Sequence, residues 1–146
     1  MTCRITTLAA LTALALAAES KLTLKDLPAA VQKTVAAEAQ GATIKNIAKE
    51  KEHGKVLYEV ETTRQGKTRD FVVDSSGALE VVEEETELAA LPPAAQAAVL
   101  KKVADGKVTT VEILKKGTQV TYEAVYKTKA GKTREVIVTA EGKESK

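Results

Sequence analysis

One cysteine, one histidine, one phenylalanine and no tryptophan leave this 146-residue chain with little that catalysis, metal binding or base stacking requires. His53 sits beside Gly54 in the polar turn Lys51-Glu52-His53-Gly54-Lys55, with no further ligand types at a metal-site spacing, and reads as a solvated surface residue. Ser20, Ser75, Ser76 and Ser145 fall in turns or at termini, and no second histidine exists to activate a nucleophile. Three tyrosines and one phenylalanine make no platform for stacked bases, and a formal net charge of +2 gives no strong field for nucleic acid or anionic lipid. No apolar run is long enough to span a bilayer. The expectation is a chain with no catalytic residue, no cofactor, no metal site and no nucleic-acid partner.

Cys3, the only thiol, precedes a stretch with its own meaning. Arg4 supplies a positive n-region, Ile5 to Leu16 is apolar apart from threonines, and Ala15-Leu16-Ala17 is an A-x-A cleavage signal. Residues 1–17 are therefore expected to be a signal peptide, cleaved near Ala17, on a protein sent to the periplasm or outside the cell. A buried N-terminal helix would show one polar stripe, and this segment has none. Cys3 would leave with the leader, and the mature chain would hold no disulfide.

What is present is a repeat. Leu27-Pro28 matches Leu91-Pro92, Val35 matches Val99 and Tyr58-Glu59 matches Tyr122-Glu123, all at an offset of 64. One residue is then added, and Gly66-Lys67-Thr68-Arg69 falls on Gly131-Lys132-Thr133-Arg134, with Gly77 on Gly142, at an offset of 65. Such self-similarity calls for two stacked units.

Within each unit the Leu-Pro pair opens a helix, since proline is tolerated in a first turn where its missing N–H has no partner. Val31, Val35 and Ala39, like Ala95, Val99 and Val103, recur every four residues as a narrow apolar stripe, and Gly41 and Gly106 mark the stops. A first strand follows over Thr43–Lys51 and Val108–Lys115, with a bulge near Ile44 and Ile47. Two alternating strands then form a hairpin over Lys55–Gly77 and again over Gln119–Gly142. Ala78–Glu83 adds a fourth strand, with Leu79 and Val81 on one face, and only Lys143–Lys146 answers it in the second copy. The run Glu83, Glu84, Glu85 and Glu87 reads as a solvated linker, or else as an acidic recognition patch. The fold class is α+β: two tandem helix-plus-antiparallel-sheet repeats, 22–84 and 85–146, each helix on one sheet face, the last strand of the second truncated. A unit of about sixty residues buries only about 60% of its unfolded surface, so the two are expected to form one body.

Motifs that imitate chemistry fail on spacing. The Gly-Lys-Thr triplets lack the glycine five residues earlier and the following helix of a phosphate loop, with Glu61 and Tyr126 in the glycine's place. Asp74-Ser75-Ser76-Gly77 lacks the remaining oxygen ligands of a calcium loop. Alternation instead singles out a surface. Leu57, Glu59, Asp70 and Val72 face away from the helix in the first unit, and Thr121, Glu123, Val125, Glu135 and Ile137 in the second. That makes an apolar stripe, Leu57, Val72, Val125 and Ile137, bordered by carboxylates. These faces either pack on each other between the units or form a site for a partner.

The Leu-Pro helix start, the Tyr-Glu-Val and Tyr-Glu-Ala strands, the Gly-Lys turn and the closing glycine turn, in that order in each unit, resemble the PepSY family. The likeness is to its PepSY-like or β-lactamase-inhibitor-like subgroup. The resemblance implies an antiparallel sheet with a helix across one face, and non-enzymatic work outside the cytoplasm. It also implies an unidentified protein partner, a peptidase or other hydrolase, met by the open sheet. A cell-envelope module for a small ligand or metal, and a structural homo-oligomer, are the alternatives. The leader generates the first test: the intact mass of the exported protein should correspond to a chain that begins just after Ala17, whereas a mature product retaining Met1 and Cys3 would remove the case for export.

Overall fold

The computed structural model describes residues 22–145, so the expected leader lies outside the described residues. Pro28 and Pro92 hold the extended backbone that precedes a helix, and α1 (Ala29–Glu38) and α2 (Pro93–Val103) start directly after them. A short 3₁₀ turn stands before each, Leu24–Asp26 and Leu88–Ala90. The four-residue stripe is the buried side of both helices: Val31, Val35 and Ala39 in one, Ala95, Val99 and Val103 in the other. Gly41, at φ +70, terminates the first as expected. The second ends differently. There Ala104 takes a positive φ, +49 with ψ −116, while Gly106 packs so closely that an added Cβ would lie 2.6 Å from the Lys127 carbonyl oxygen.

Seven strands follow the chain in order: β1 (Thr43–Glu52), β2 (Lys55–Arg64), β3 (Lys67–Asp74), β4 (Leu79–Glu85), β5 (Lys107–Lys116), β6 (Gln119–Lys127) and β7 (Thr133–Val138). Each pairs antiparallel with the next in a single sheet, giving an α+β fold in which a helix followed by strands occurs twice. His53-Gly54 and Gln65-Gly66 all have positive φ, the two-residue turn whose twist suits a tight hairpin. Between β6 and β7 the loop runs from Thr128 to Lys132, closed by Thr128 N–H donating to the Lys132 carbonyl at 2.9 Å. That longer loop holds the residue that shifts the repeat offset. Register breaks between Ile44 and Asn46 in β1 and between Val108 and Thr110 in β5 place a bulge at matching points of the two units.

Both helices lie on one side of the sheet. Val31 and Val35 meet Tyr58, Val60, Phe71 and Val73, while Val99 and Val103 meet Val111, Ala124, Val136 and Val138. Burying each such side chain contributes about 1.5–3 kcal/mol, so these two clusters carry most of the cohesion. The helices sit as near the sheet as backbone allows. A Cβ at Gly77 would lie 2.8 Å from the Ala30 carbonyl oxygen, and one at Gly142 2.5 Å from that of Ala94. Thr34 Oγ1 adds a 2.6 Å hydrogen bond to the Gly77 carbonyl.

Two sequence expectations are corrected here. Glu84 and Glu85 do not continue from Glu83 as a solvated linker; they extend its strand as the end of β4, which pairs with β5 from Val82↔Lys115 to Glu85↔Glu112. Leu79 and Val81 do not share a face. A bulge sets Val81 opposite Val72 but Leu79 opposite Val73, so one extra residue on β4 reverses the alternation.

Arg69 ties the first unit together. Its Nε and Nη2 donate to Glu84 Oε1 at 3.0 Å and Glu38 Oε2 at 2.6 Å, its Nη1 donates to the Glu38 carbonyl at 3.1 Å, and its guanidinium lies 5.5 Å from the Phe71 ring centre. Arg134, its counterpart in the repeat, is exposed and donates only to the neighbouring Thr133 carbonyl, at 3.3 Å, among the described residues. Arg69→Ala should therefore lower unfolding free energy by about 1–3 kcal/mol in a urea titration, because it strands two half-buried carboxylates. Arg134→Ala should stay within about 0.5 kcal/mol of the parent. Equal losses from the two would refute the asymmetry.

Candidate partner-binding face

Residues directly opposite in antiparallel strands point to the same side. Glu59↔Val72, Val72↔Val81, Asp70↔Glu83, Glu83↔Leu114, Leu114↔Thr121, Glu112↔Glu123 and Glu123↔Ile137 therefore trace one continuous face from β2 to β7. Alternation adds Leu57, and the pair Val125↔Glu135 completes it. All nine residues singled out by sequence lie on this side, opposite the helices. Because there is one sheet, the outward faces of the two units lie side by side and do not pack on each other.

The pattern on that face differs from the expected apolar stripe with an acidic border. Leu57, Val72 and Val81 lie on β2 to β4, Val125 and Ile137 on β6 and β7, and carboxylates occupy the ground between. Asp70, Glu83, Glu112 and Glu123 are only 3, 5, 6 and 7% exposed, although no helix among the described residues covers them. Across one row Glu85, Glu112 and Glu123 stand directly opposite one another, a placement that repulsion penalises. Asp70 spends one oxygen on the sheet itself, Oδ1 accepting from the Thr62 N–H at 2.9 Å, while the Thr62 hydroxyl donates to the Arg69 carbonyl.

Burial, then the charges of Glu112, Glu123, Asp70 and Glu59, push the Glu83 carboxyl up to about 8. Burial, then Glu135 and Glu112, push Glu123 up to about 7. Near neutrality Glu83 thus holds a proton, and Glu123 is half-titrated.

A cleft of about 240 Å³ opens on the same face, floored by Leu57, Val72 and Val81, with Glu50 and Glu59 to one side and Lys116 to the other. Among the described residues no three His, Cys, Asp or Glu side chains are grouped to hold a metal ion. His53 is 88% exposed, 3.8 Å from Glu52. Asp74 is occupied within its own turn, Oδ1 accepting from Ser76 N–H at 2.8 Å and Ala78 N–H at 3.0 Å. Lys67, in the repeated basic turn, pairs with Glu87 at 3.2 Å.

Glu83, Glu112, Val81 and Leu114 belong to this face and escaped the sequence reading. The signal for Glu112 and Leu114 was the same two-residue alternation that revealed Glu123. The sequence places Glu83 at the end of a strand, but the acidic run it opens looks solvated, which hid the side it faces.

The raised carboxyls make stability depend on pH. Each binds its proton more tightly folded than unfolded, so the stabilisation is complete below about 4.5, declines above it, and is lost as pH passes about 7 for Glu123 and about 8 for Glu83. The melting temperature should be higher at about pH 5 than at about pH 9. Glu83→Gln should flatten that slope and exceed the parent at the alkaline end by about 1–3 kcal/mol. A parent whose melting point is level across this range, or a variant with the parent's slope, would contradict the assignment.

Residues 21–76 match the family model for PepSY, the peptidase propeptide and YPEB domain. No curated protein matches the chain. A DUF2874 family protein from Bacteroides ovatus has a similar structure, with a TM-score of 0.64 at 18% identity over 82% of this chain and 85% of that one. A BLIP-like protein from Bacteroides fragilis gives 0.59 at 19% identity over 82% and 84%. A candidate periplasmic protein from Bacteroides eggerthii gives 0.66 at 15% identity over 82% and 86%. At these identities the structural likeness establishes the fold. Over residues 21–76 the chain is thus similar to the PepSY domain, and its single-sheet fold is similar to those of the DUF2874 and BLIP-like proteins.

Proposed function

We propose that this chain is an exported, non-enzymatic protein-binding module, and that it meets its partner with the open face of the sheet. The observation that carries the reading is the unequal treatment of the two sheet faces. Two helices and two apolar clusters cover one side, while the other carries no helix among the described residues and offers apolar flanks around a recessed acidic centre. Apolar anchors within a polar setting are where binding energy concentrates in protein interfaces. An extracytoplasmic peptidase or other hydrolase is the partner class that the PepSY domain and the BLIP-like likeness favour. Export is favoured by the leader-like residues 1–17 and by the likeness to a candidate periplasmic protein; no helix among the described residues is long and apolar enough to cross a membrane. We take 85–146 as a diverged second copy of the PepSY-like unit 22–84, on the strength of the matching helix, bulge and glycine positions.

The test starts from a protein captured on the mature chain from periplasm or medium, followed by titration of the purified pair. Leu57→Asp or Val125→Asp should weaken that complex by more than about 1–2 kcal/mol while the far-ultraviolet spectrum stays unchanged. Lys67→Ala with Lys132→Ala, in the repeated turns, should change it much less, since rim charges act mainly on encounter rate. Loss through the lysine pair with no effect of the face substitutions would overturn the reading.

A further inference from the structure

The acidic centre of the open face is unusual in what it lacks. Glu83 and Glu123 are 5 and 7% exposed, and no cation or hydrogen-bond donor reaches either among the described residues. Among the described residues no side-chain oxygen sealed from solvent is left without a partner. The two carboxyls therefore reach the open side of the sheet, recessed but unanswered. The groups that face them are acidic on every neighbouring strand: Glu59 on β2, Asp70 on β3, Glu112 on β5 and Glu135 on β7. Lys116, Lys55 and His53 lie at the rim of the adjoining cleft. This concentration occurs in a chain whose overall formal charge is +2, so it is a local arrangement of the fold.

We propose that this acidic centre receives a cationic loop of the partner protein, whose arginine or lysine side chains lay their stems on Leu57, Val72 and Val81 and set their charged heads against Glu83 and Glu123. The proposal rests on the reading of this face as the partner site and supplies the chemistry of what binds there. A divalent cation is the weaker occupant, because these acids are not grouped for one. An organic cation needs no such grouping. Guanidinium offers donors on several sides, and long basic side chains carry apolar stems suited to the valine and leucine floor.

Protons make the idea measurable. Alone, Glu83 keeps its proton up to about 8, and Glu123 loses its own at about 7. A cation set against them favours the charged form and drives those protons off. Binding should then release protons and tighten as pH rises.

Nona-arginine serves as the probe, titrated calorimetrically into the full mature chain at about pH 6 and about pH 8.5, in two buffers of different ionisation heat. The expected result is proton release and an affinity about tenfold or more higher at the alkaline pH, each unit of pKa displaced being a factor of ten. Glu83→Gln with Glu123→Gln removes repulsion, so it should fold, and it should lose both the affinity and its pH dependence. Glu141→Gln with Glu144→Gln, remote from the face, should keep both. No binding of nona-arginine, or equal binding by the Glu83/Glu123 variant, overturns the proposal. The captured partner separates the two levels of the argument. If Leu57→Asp weakens it but the glutamine pair does not, the face reading stands and the cationic chemistry falls; if neither matters, both fall.

Discussion

Four residue pairs, from Val82 with Lys115 to Glu85 with Glu112, join β4 to β5 and turn two small sheets into one. A unit of about sixty residues is marginal by itself because it buries too little of its own surface. Edge-to-edge pairing removes two open edges at once and lets both helices cover the same side. It also dictates what meets in the middle. Read with the strand's period of two, Glu83, Glu84 and Glu85 divide between faces. Glu84 turns to the helix side, between Arg69 at 3.0 Å and Lys115 at 2.7 Å, which lowers its pKa through the Lys115 bond above all. Its two neighbours turn to the other side and meet more carboxylates from β3 and β5.

The junction is thus charge-compensated below the sheet and charge-crowded above it. The crowded side is tolerable because protons can stand in for counter-ions, at the expense of tying the fold to pH. Natural sheets usually avoid like charges directly opposite one another. Retaining them at the centre of a face that no described helix covers is intelligible if, as proposed, something positive is to arrive there, and on that proposal the stability of the free protein is linked to the chemistry of recognition.

Much of this architecture could be read from the chain alone. The helices, the hairpin and the bulge near Ile44 follow from local period and from glycine and proline, whose preferences act over a few residues. The helix-opposed face was equally legible, since strict alternation fixes sidedness. What could not be read was decided by contacts distant in sequence. Strand pairing between the units made a buried strand out of a glutamate run that looks solvated by composition. One extra residue on β4 moved Val81 to the open face. Arg69 and Arg134 occupy identical Gly-Lys-Thr-Arg motifs but have different surroundings: Glu38 waits for the first, whereas the matching helix position in the second unit is Lys102. Identity of sequence did not carry over to identity of role.

The glycines beneath the helices bear on how a partner would experience this surface. With backbone against backbone at Gly77 and Gly142, neither helix can settle nearer, and the interlocked valines resist its lifting away. The sheet is braced from behind at two separate points. A face held so firmly loses little conformational freedom on contact, so less of the interaction energy goes into ordering the surface. On the proposed function, recognition by such a body would proceed by fit to a shape already present, with adjustment falling to the side chains and to the partner.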